Sequence, residues 1–314
     1  MTFERYEGTR DAYGVTLAEI GGEDPKIVVL TADLAGSTKV SSFAKAYPDR
    51  FFNMGVAEAD MMGAAAGLAM SGFRPFVSTF AVFATGKPWE QVRQVVAYPN
   101  VPVRIVATHA GLTVGEDGAS HQMLEDISNM RVLPNMVVIV PADAVEAREA
   151  IRFVAGYDEG PVYVRLSRAK FPVILDDDYR FIFGKAQVLC EGTDVSIFAC
   201  GVMVSAALEA RGTLAAENIS AEVVNVSTLK PLDQETLLSS AAKTKLVVTA
   251  EEHQITGGLG SAVCELMAEN CSVRVIRVGV RDRFGQSGSA DALLAHYDLN
   301  AHSLVTTVKQ ALAK

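Results

Sequence analysis

The sequence predicts an α/β chain of two domains, each a largely parallel sheet flanked by helices. Short apolar runs such as Ile27–Ala32 and Val101–Ala107 alternate with segments of helical spacing, as in repeated strand–helix units. Each run delivers polar residues to its carboxyl end, where open α/β sheets place ligands. A stretch with Pro172 and the acidic run Asp176-Asp177-Asp178 then interrupts the pattern before a second series begins. The expected division is residues 1–170, a linker at 171–185, and residues 186–314.

Composition narrows the function. With 314 residues, 49% of them hydrophobic, the chain can bury two cores. A net charge of −9 leaves no basic stripe for nucleic acid, although it is compatible with a local cationic pocket for a phosphorylated metabolite. No apolar run approaches the ~20 residues of a membrane helix, and MTFERYEGTR lacks the apolar core of a secretion signal. A cytoplasmic location without membrane contact is therefore expected. Cys190, Cys200, Cys264 and Cys271 show no CxxC spacing and lie in or beside apolar segments, which predicts buried free thiols.

In chain order, Arg10–Ile20 has helical spacing and stops at Gly21-Gly22. The strand Ile27–Ala32 leads to Asp33 and Ser37, either of which is a helix cap or a ligand contact. Phe51–Gly72 is apolar nearly all round and rich in Gly and Ala, predicting a helix buried on every side and closely approached by another backbone. Glu58 at its head is a carboxylate that is costly to bury unless paired or protonated. The alternative is a first-turn residue facing the helix dipole and water. Arg74–Phe80 is a strand, and Phe80 and Phe83 at its end form either a flat slot for a planar ring or plain core.

The most informative stretch is 108–126, THAGLTVGEDGASHQMLED. His109 and His121 bracket a Gly-rich loop holding Glu116 and Asp117, a set able to polarise oxygens and move protons. The alternative is a solvated surface loop. Leu133–Asp143 reads as a turn and a strand, with Pro141 and Asp143 opening a helix to about Val154. Pro161–Leu166 is a strand ending in Ser167-Arg168. Arg168 is either a salt-bridge partner or a planar fork for phosphate or carboxylate.

In the second half, strands at Val195–Cys200, Ala221–Val226 and Lys245–Ala250 alternate with helices near Val204–Ala216 and Gly260–Glu269. Gly257-Gly258-Leu259-Gly260 has the look of a phosphate loop but fits neither GxGxxG nor GxxxxGK[ST], and close helix packing explains it equally well. His253, beside Glu251 and Glu252, follows the same strand.

Taken together, ADLAGS at 32–37, NMGVAEADMMGAAAGLA at 53–69, STFAVF at 78–83, THAGLTVGEDGASHQ at 108–122, LPNMVVIVPAD at 133–143 and LSR at 166–168 resemble the carboxyl-terminal half of transketolase. The resemblance spans nearly the whole chain. It implies a pyrimidine-binding domain for thiamine diphosphate followed by a transketolase C-terminal domain. Glu58 is then the catalytic glutamate that shares a proton with the aminopyrimidine ring, Phe80 and Phe83 line the pyrimidine pocket, and Asp33 joins the cofactor-binding set. The resemblance makes His109 and His121 ligands of sugar hydroxyls that assist proton transfers, and makes Asp117 the reader of a substrate hydroxyl. It places Arg10, Ser37 and Arg168 at a cationic, polar mouth for a sugar phosphate.

The family anchors the diphosphate and its divalent metal with a GDG motif followed downstream by an asparagine. Gly115-Glu116-Asp117-Gly118 is not that motif. The resemblance therefore implies an N-terminal transketolase subunit that carries the GDG domain and holds Mg2+ or another divalent cation, in an α2β2 assembly. The implied activity is transfer of a two-carbon glycolaldehyde unit from a ketose phosphate to an aldose phosphate. Ala110, where many full-length transketolases carry aspartate, and Ala119-Ser120, where Pro-Thr is common, leave the substrate open. The alternatives of like architecture are the β subunit of a 2-oxoacid dehydrogenase, a deoxyxylulose-phosphate synthase-like enzyme, and a non-catalytic regulatory subunit. GEDGASHQ with LSR favours transketolase, and retention of Glu58, both histidines, Asp117 and Arg168 favours a catalytic chain. A stand-alone nucleotide-binding protein rests only on the GGLG turn.

Overall fold

The computed structural model describes residues 3–244 and 246–313. Its first sheet has the strand order Thr228–Lys230, Val137–Ile139, Val162–Arg165, Arg104–Thr108, Arg74–Phe80, Ile27–Thr31, Phe51–Asn53, parallel except at Thr228–Lys230. The second runs Arg274–Val280, Leu246–Gln254, Val195–Ala199, Ala221–Asn225, Gln187–Cys190, antiparallel only at the last strand. These are the two largely parallel, helix-flanked sheets expected. Lys245, where the sequence starts one of the strands, lies outside the described residues.

Parallel sheets covered on both faces need apolar residues at every position, and Ile27–Thr31, Arg104–Thr108, Val162–Arg165 and Val195–Ala199 are buried throughout. Arg104 is tolerated there because its guanidinium donates to the carbonyls of Val154 and Tyr157, at 2.9 and 2.6 Å. A cation at the carboxyl end of the helix Ala144–Gly156 also suits the helix dipole. The halves interlock, since Thr228–Lys230 of the second edges the first sheet. The stretch read as a linker is preceded and entered by a strand, Lys170–Pro172, paired antiparallel with Tyr6–Gly8.

Several local expectations are corrected. The first helix, Thr9–Glu23, continues through Gly21-Gly22, and a Cβ on Gly21 would lie 2.5 Å from the Phe43 ring and 2.8 Å from that of Tyr47. These glycines serve packing rather than termination. Phe51–Asn53 is a strand, and the Gly/Ala-rich helix is Glu58–Met70. Only one of its faces is buried, through Met61, Met62, Ala65, Ala66 and Ala69. Asp60, Gly63, Gly67 and Met70 are exposed, and a Cβ on either glycine would meet nothing within 4 Å. Of the free thiols only Cys200 is buried, Cys190 and Cys264 are half-buried and Cys271 is exposed.

The GGLG turn is occupied from within. The amides of Leu259 and Gly260, opening the helix Leu259–Asn270, donate to the Glu251 carboxylate at 2.7 and 2.8 Å. A Cβ on Gly258 would overlap that carboxylate and His253. An internal anion thus takes the amides a phosphate would need, which removes the basis for the nucleotide-binding alternative. Among the described residues no helix is long and apolar enough to cross a membrane, and no cluster of His, Cys, Asp and Glu could hold a metal.

Candidate active site

The strand Arg104–Thr108 hands the chain to His109 in the left-handed conformation, φ 58°. Such a residue costs about 1–3 kcal/mol and persists only where its surroundings hold it. Here the imidazole stacks on Phe80, with centroids 3.7 Å apart and planes at 21°. Its Nε2 lies 3.2 Å from Arg10 NH1 and its Nδ1 2.8 Å from Thr108 Oγ1. A guanidinium only donates, so Nε2 accepts and the proton sits on Nδ1, donating to Thr108.

Burial, then the charges of Arg10 and Arg168, lower the His109 pKa to about 3. Its neutral form is the one that fits the fold, so its contribution to stability is present above the ordinary value of 6.5 and lost as pH falls toward 3. In imidazole NMR of the chain, His109 is expected to show no titration between about pH 5 and pH 8. A midpoint near 6.5 would mean that the Arg10 contact does not lock the ring.

Phe80 and Phe83 lie nearly parallel, at 12°, with centroids 5.9 Å apart. A third ring between them would need about 7 Å, so they do not form a sandwiching slot. Phe80 is only 7% exposed, whereas Phe83 is half-buried and is the ring a ligand can reach. The Lys87 ammonium lies 5.2 Å from the Phe83 centroid and 2.8 Å from Glu58 Oε2. Glu58 sits in its helix's first turn, as the plainer alternative had it, yet is only 4% exposed. Its Oε1 has no hydrogen-bond partner among the described residues. Lys87 carries only a faint signal in the sequence, a lone cation closing the apolar run before Pro88.

Arg10 NH1 also donates to the backbone carbonyl of Ser37 at 3.0 Å. His121 is half-buried, set edge-on to Phe83 with centroids 5.6 Å apart, and its Nδ1 is 3.0 Å from Ser120 Oγ. The structure therefore joins Arg10, Ser37, Phe80, Phe83, His109 and His121, and reaches Glu58 through Lys87. Arg168 acts on Arg10 and His109 through its charge, while its NH1 donates to Glu116 at 2.9 Å and to the Val114 carbonyl. The salt-bridge alternative is thus present. Asp117 is exposed and makes no side-chain hydrogen bond among the described residues. Asp33 exchanges hydrogen bonds with Asn53, 3.0 and 3.1 Å, tying together the ends of neighbouring strands without touching the histidines.

A layer missed in the sequence supports the loop. Thr113 N–H donates to Glu252 Oε1 at 2.5 Å, and Gly111, at φ 81°, leaves the space this carboxylate fills. Gln122 donates to Leu112 O at 3.1 Å and to Gln286 O at 2.9 Å. Below, the buried Asp126 takes Tyr163 O–H at 2.6 Å and Arg165 Nε at 2.7 Å, and Arg165 NH2 donates to Glu252 O at 2.9 Å. Burial pushes Glu252 up to about 7. Residues so far apart in sequence carry no spacing signal.

A buried carboxylate beside a reachable aromatic ring and a cationic mouth, on this sheet, defines a class. Residues 7–173 match the pyrimidine-binding domain of transketolase, and residues 184–304 match the transketolase C-terminal domain. The chain is 48% identical over 312 residues to a provisionally named transketolase C-terminal section of Methanocaldococcus jannaschii, covering 98% of each. It is 44% identical over 296 residues to a 6-deoxy-6-sulfo-D-fructose transketolase subunit of Clostridium sp. strain MSTE9, covering 94% of this chain and 92% of that one. A solved split gene transketolase, an inactive beta4 tetramer, is 52% identical with a TM-score of 0.89, covering 98% of both chains. The chain belongs to the transketolase family and corresponds to its C-terminal section.

A pyrimidine-binding domain of this family implies thiamine diphosphate. The residues present fit its ring. Glu58 keeps one oxygen on Lys87 and, among the described residues, the other unpartnered, and Phe83 offers a half-buried aromatic face.

Proposed function

We propose that this chain is the C-terminal subunit of a two-chain transketolase, moving a two-carbon ketol unit from a ketose phosphate to an aldose phosphate. The observation that carries this reading is Glu58, a nearly buried carboxylate with Oε2 fixed by Lys87 and Oε1 left for a ligand. When bound, thiamine diphosphate supplies the electron sink that lets a ketose carbon–carbon bond break. Glu58 would offer Oε1 to a ring nitrogen of that cofactor, and Phe83, Phe80 and Asp33 would complete the cofactor-binding set. Neutral His109 can accept a hydrogen bond from a sugar hydroxyl at Nε2 once Arg10 turns to an anion. His121 and Asp117 read further hydroxyls. Arg10, Ser37 and Arg168 receive the phosphate, for which a dianion competes with the exposed Glu116 carboxylate.

Residues 1–170 would be the pyrimidine-binding domain, with 171–185 as linker and 186–314 as C-terminal domain. The partner would be an N-terminal subunit bearing the GDG motif and the divalent cation, in a cytoplasmic α2β2 assembly. The open face of Asp60, Gly63, Gly67 and Met70 supports a close helix contact with another chain. The sulfonated sugar named for the Clostridium relative also carries an anion, as a cationic mouth requires.

The test is calorimetric titration of thiamine diphosphate with magnesium into the chain alone, and into its mixture with a chain carrying the GDG motif. Tight binding is expected only in the mixture, together with two-carbon transfer. Equally tight binding by the chain alone would overturn the two-chain reading, and no binding in a verified complex would favour a non-catalytic subunit.

A further inference from the structure

A second concave site lies in the second half of the chain, at the carboxyl end of the strand Arg274–Val280. A cavity of about 350 Å³ opens there between Arg281, Arg283 and the helix Ala301–Leu312, and none of its lining residues belongs to the candidate active site. The two guanidiniums are its fixed cations, with His302 beside them. Among the described residues no carboxylate lies within 4.0 Å of either guanidinium. In a chain of net charge −9, two arginines lining one cavity with no carboxylate partner among the described residues make a local cationic site.

The backbone that carries them is pinned. Gln254 Nε2 donates to Arg283 O at 2.8 Å, and its Oε1 accepts from Asp282 N–H at 3.0 Å. Tyr297 O–H donates to Phe284 O at 2.9 Å, and the Arg283 guanidinium lies 4.3 Å from the Tyr297 ring centroid. Arg281 NH2 donates to Arg277 O at 3.0 Å, which leaves its remaining N–H groups for a ligand. One hydrogen bond from Arg281 and the ring contact of Arg283 give each guanidinium a preferred placement, from which planar pairs of N–H groups can reach a phosphate.

The rest of the lining specifies more than an anion. Among the described residues Asp298 accepts only a long side-chain hydrogen bond, 3.5 Å, from Ser303, and Thr306 and Thr307 bring further hydroxyls. A carboxylate in the same cavity repels a polyanion but accepts from a ligand hydroxyl. A cavity of about 350 Å³ has room for a small phosphorylated sugar.

We propose that this cavity binds a small phosphorylated, hydroxylated metabolite of the size of a pentose phosphate. The phosphate lies on Arg281 and Arg283, and its hydroxyls meet Asp298 and the threonines. The site belongs to this chain alone and does not depend on ketol transfer.

The experiment is imidazole NMR of the whole chain with labelled histidine, with ribose 5-phosphate and unphosphorylated ribose as probes and His302→Gln to assign the signal. Ribose 5-phosphate is expected to shift the His302 signals saturably, and ribose to leave them in place. The shift should disappear in Arg281→Gln/Arg283→Gln and persist in Arg168→Ala. All three substituted surface positions in the cavity, 281, 283 and 302, are exposed, so folding is preserved. Movement confined to His109 and His121, an unaltered His302 response in the double variant, or an equal response to ribose would each overturn the proposal.

Discussion

Glu58→Ala is expected to lower two-carbon transfer by the reconstituted complex about 10²–10⁴-fold, the range a positioned proton-transfer group supplies. The variant isolates chemistry from folding. The carboxylate is 4% exposed, but its only side-chain partner among the described residues is Lys87, whose side chain is 52% exposed. Removing the acid returns that ammonium to water instead of stranding it in the core, so the melting temperature should hardly move. The rate of ketose cleavage at saturating cofactor is the measurement. A near-normal rate in a complex that still binds the cofactor would remove Glu58 from the mechanism.

The largest loss of stability is expected beneath the histidine loop. Asp126→Ala should cost about 3–5 kcal/mol in chemical denaturation, because it leaves the Arg165 guanidinium buried without its counter-charge. It also strips the Tyr163 hydroxyl of its acceptor. The double variant Asp126→Ala/Arg165→Met should recover part of the loss, since an apolar pair in place of a buried ion pair is often tolerated. A single-variant loss below about 1 kcal/mol would show that water reaches the pair. Because Arg165 also holds the Glu252 carbonyl, and Glu252 holds Thr113, the same substitution should loosen the loop.

The elements that were legible in the sequence are those governed by local pattern. Arg74–Phe80 and the helix starting after Asp143 announce themselves through an apolar run and a capping residue, and the Asp143 side chain does accept from Glu146 N–H at 2.9 Å. The elements that escaped depend on partners distant in the chain. Thr228–Lys230 is a strand through its pairing with Val137–Ile139, and Gly21 stands in a helix where two rings leave no room for a Cβ. In the site, the motif pieces that resemble a known family named Glu58, His109 and His121. Lys87, Glu252 and Asp126 were invisible, since their meaning comes from burial and pairing. The exposed face of Gly63 and Gly67 is the converse case: an apolar sequence reads as buried, while the single chain leaves that side open.

The loop from Gly111 to Gln122 is clasped from across the chain, by Glu252 at one end and by the backbone of Gln286 at the other. Neither half owns it. The first half contributes the histidines, and the second decides where they stand. A recombination that swapped the second half for a relative's would import a foreign clasp under native histidines. The two halves are therefore expected to be exchangeable only together, although each has its own sheet.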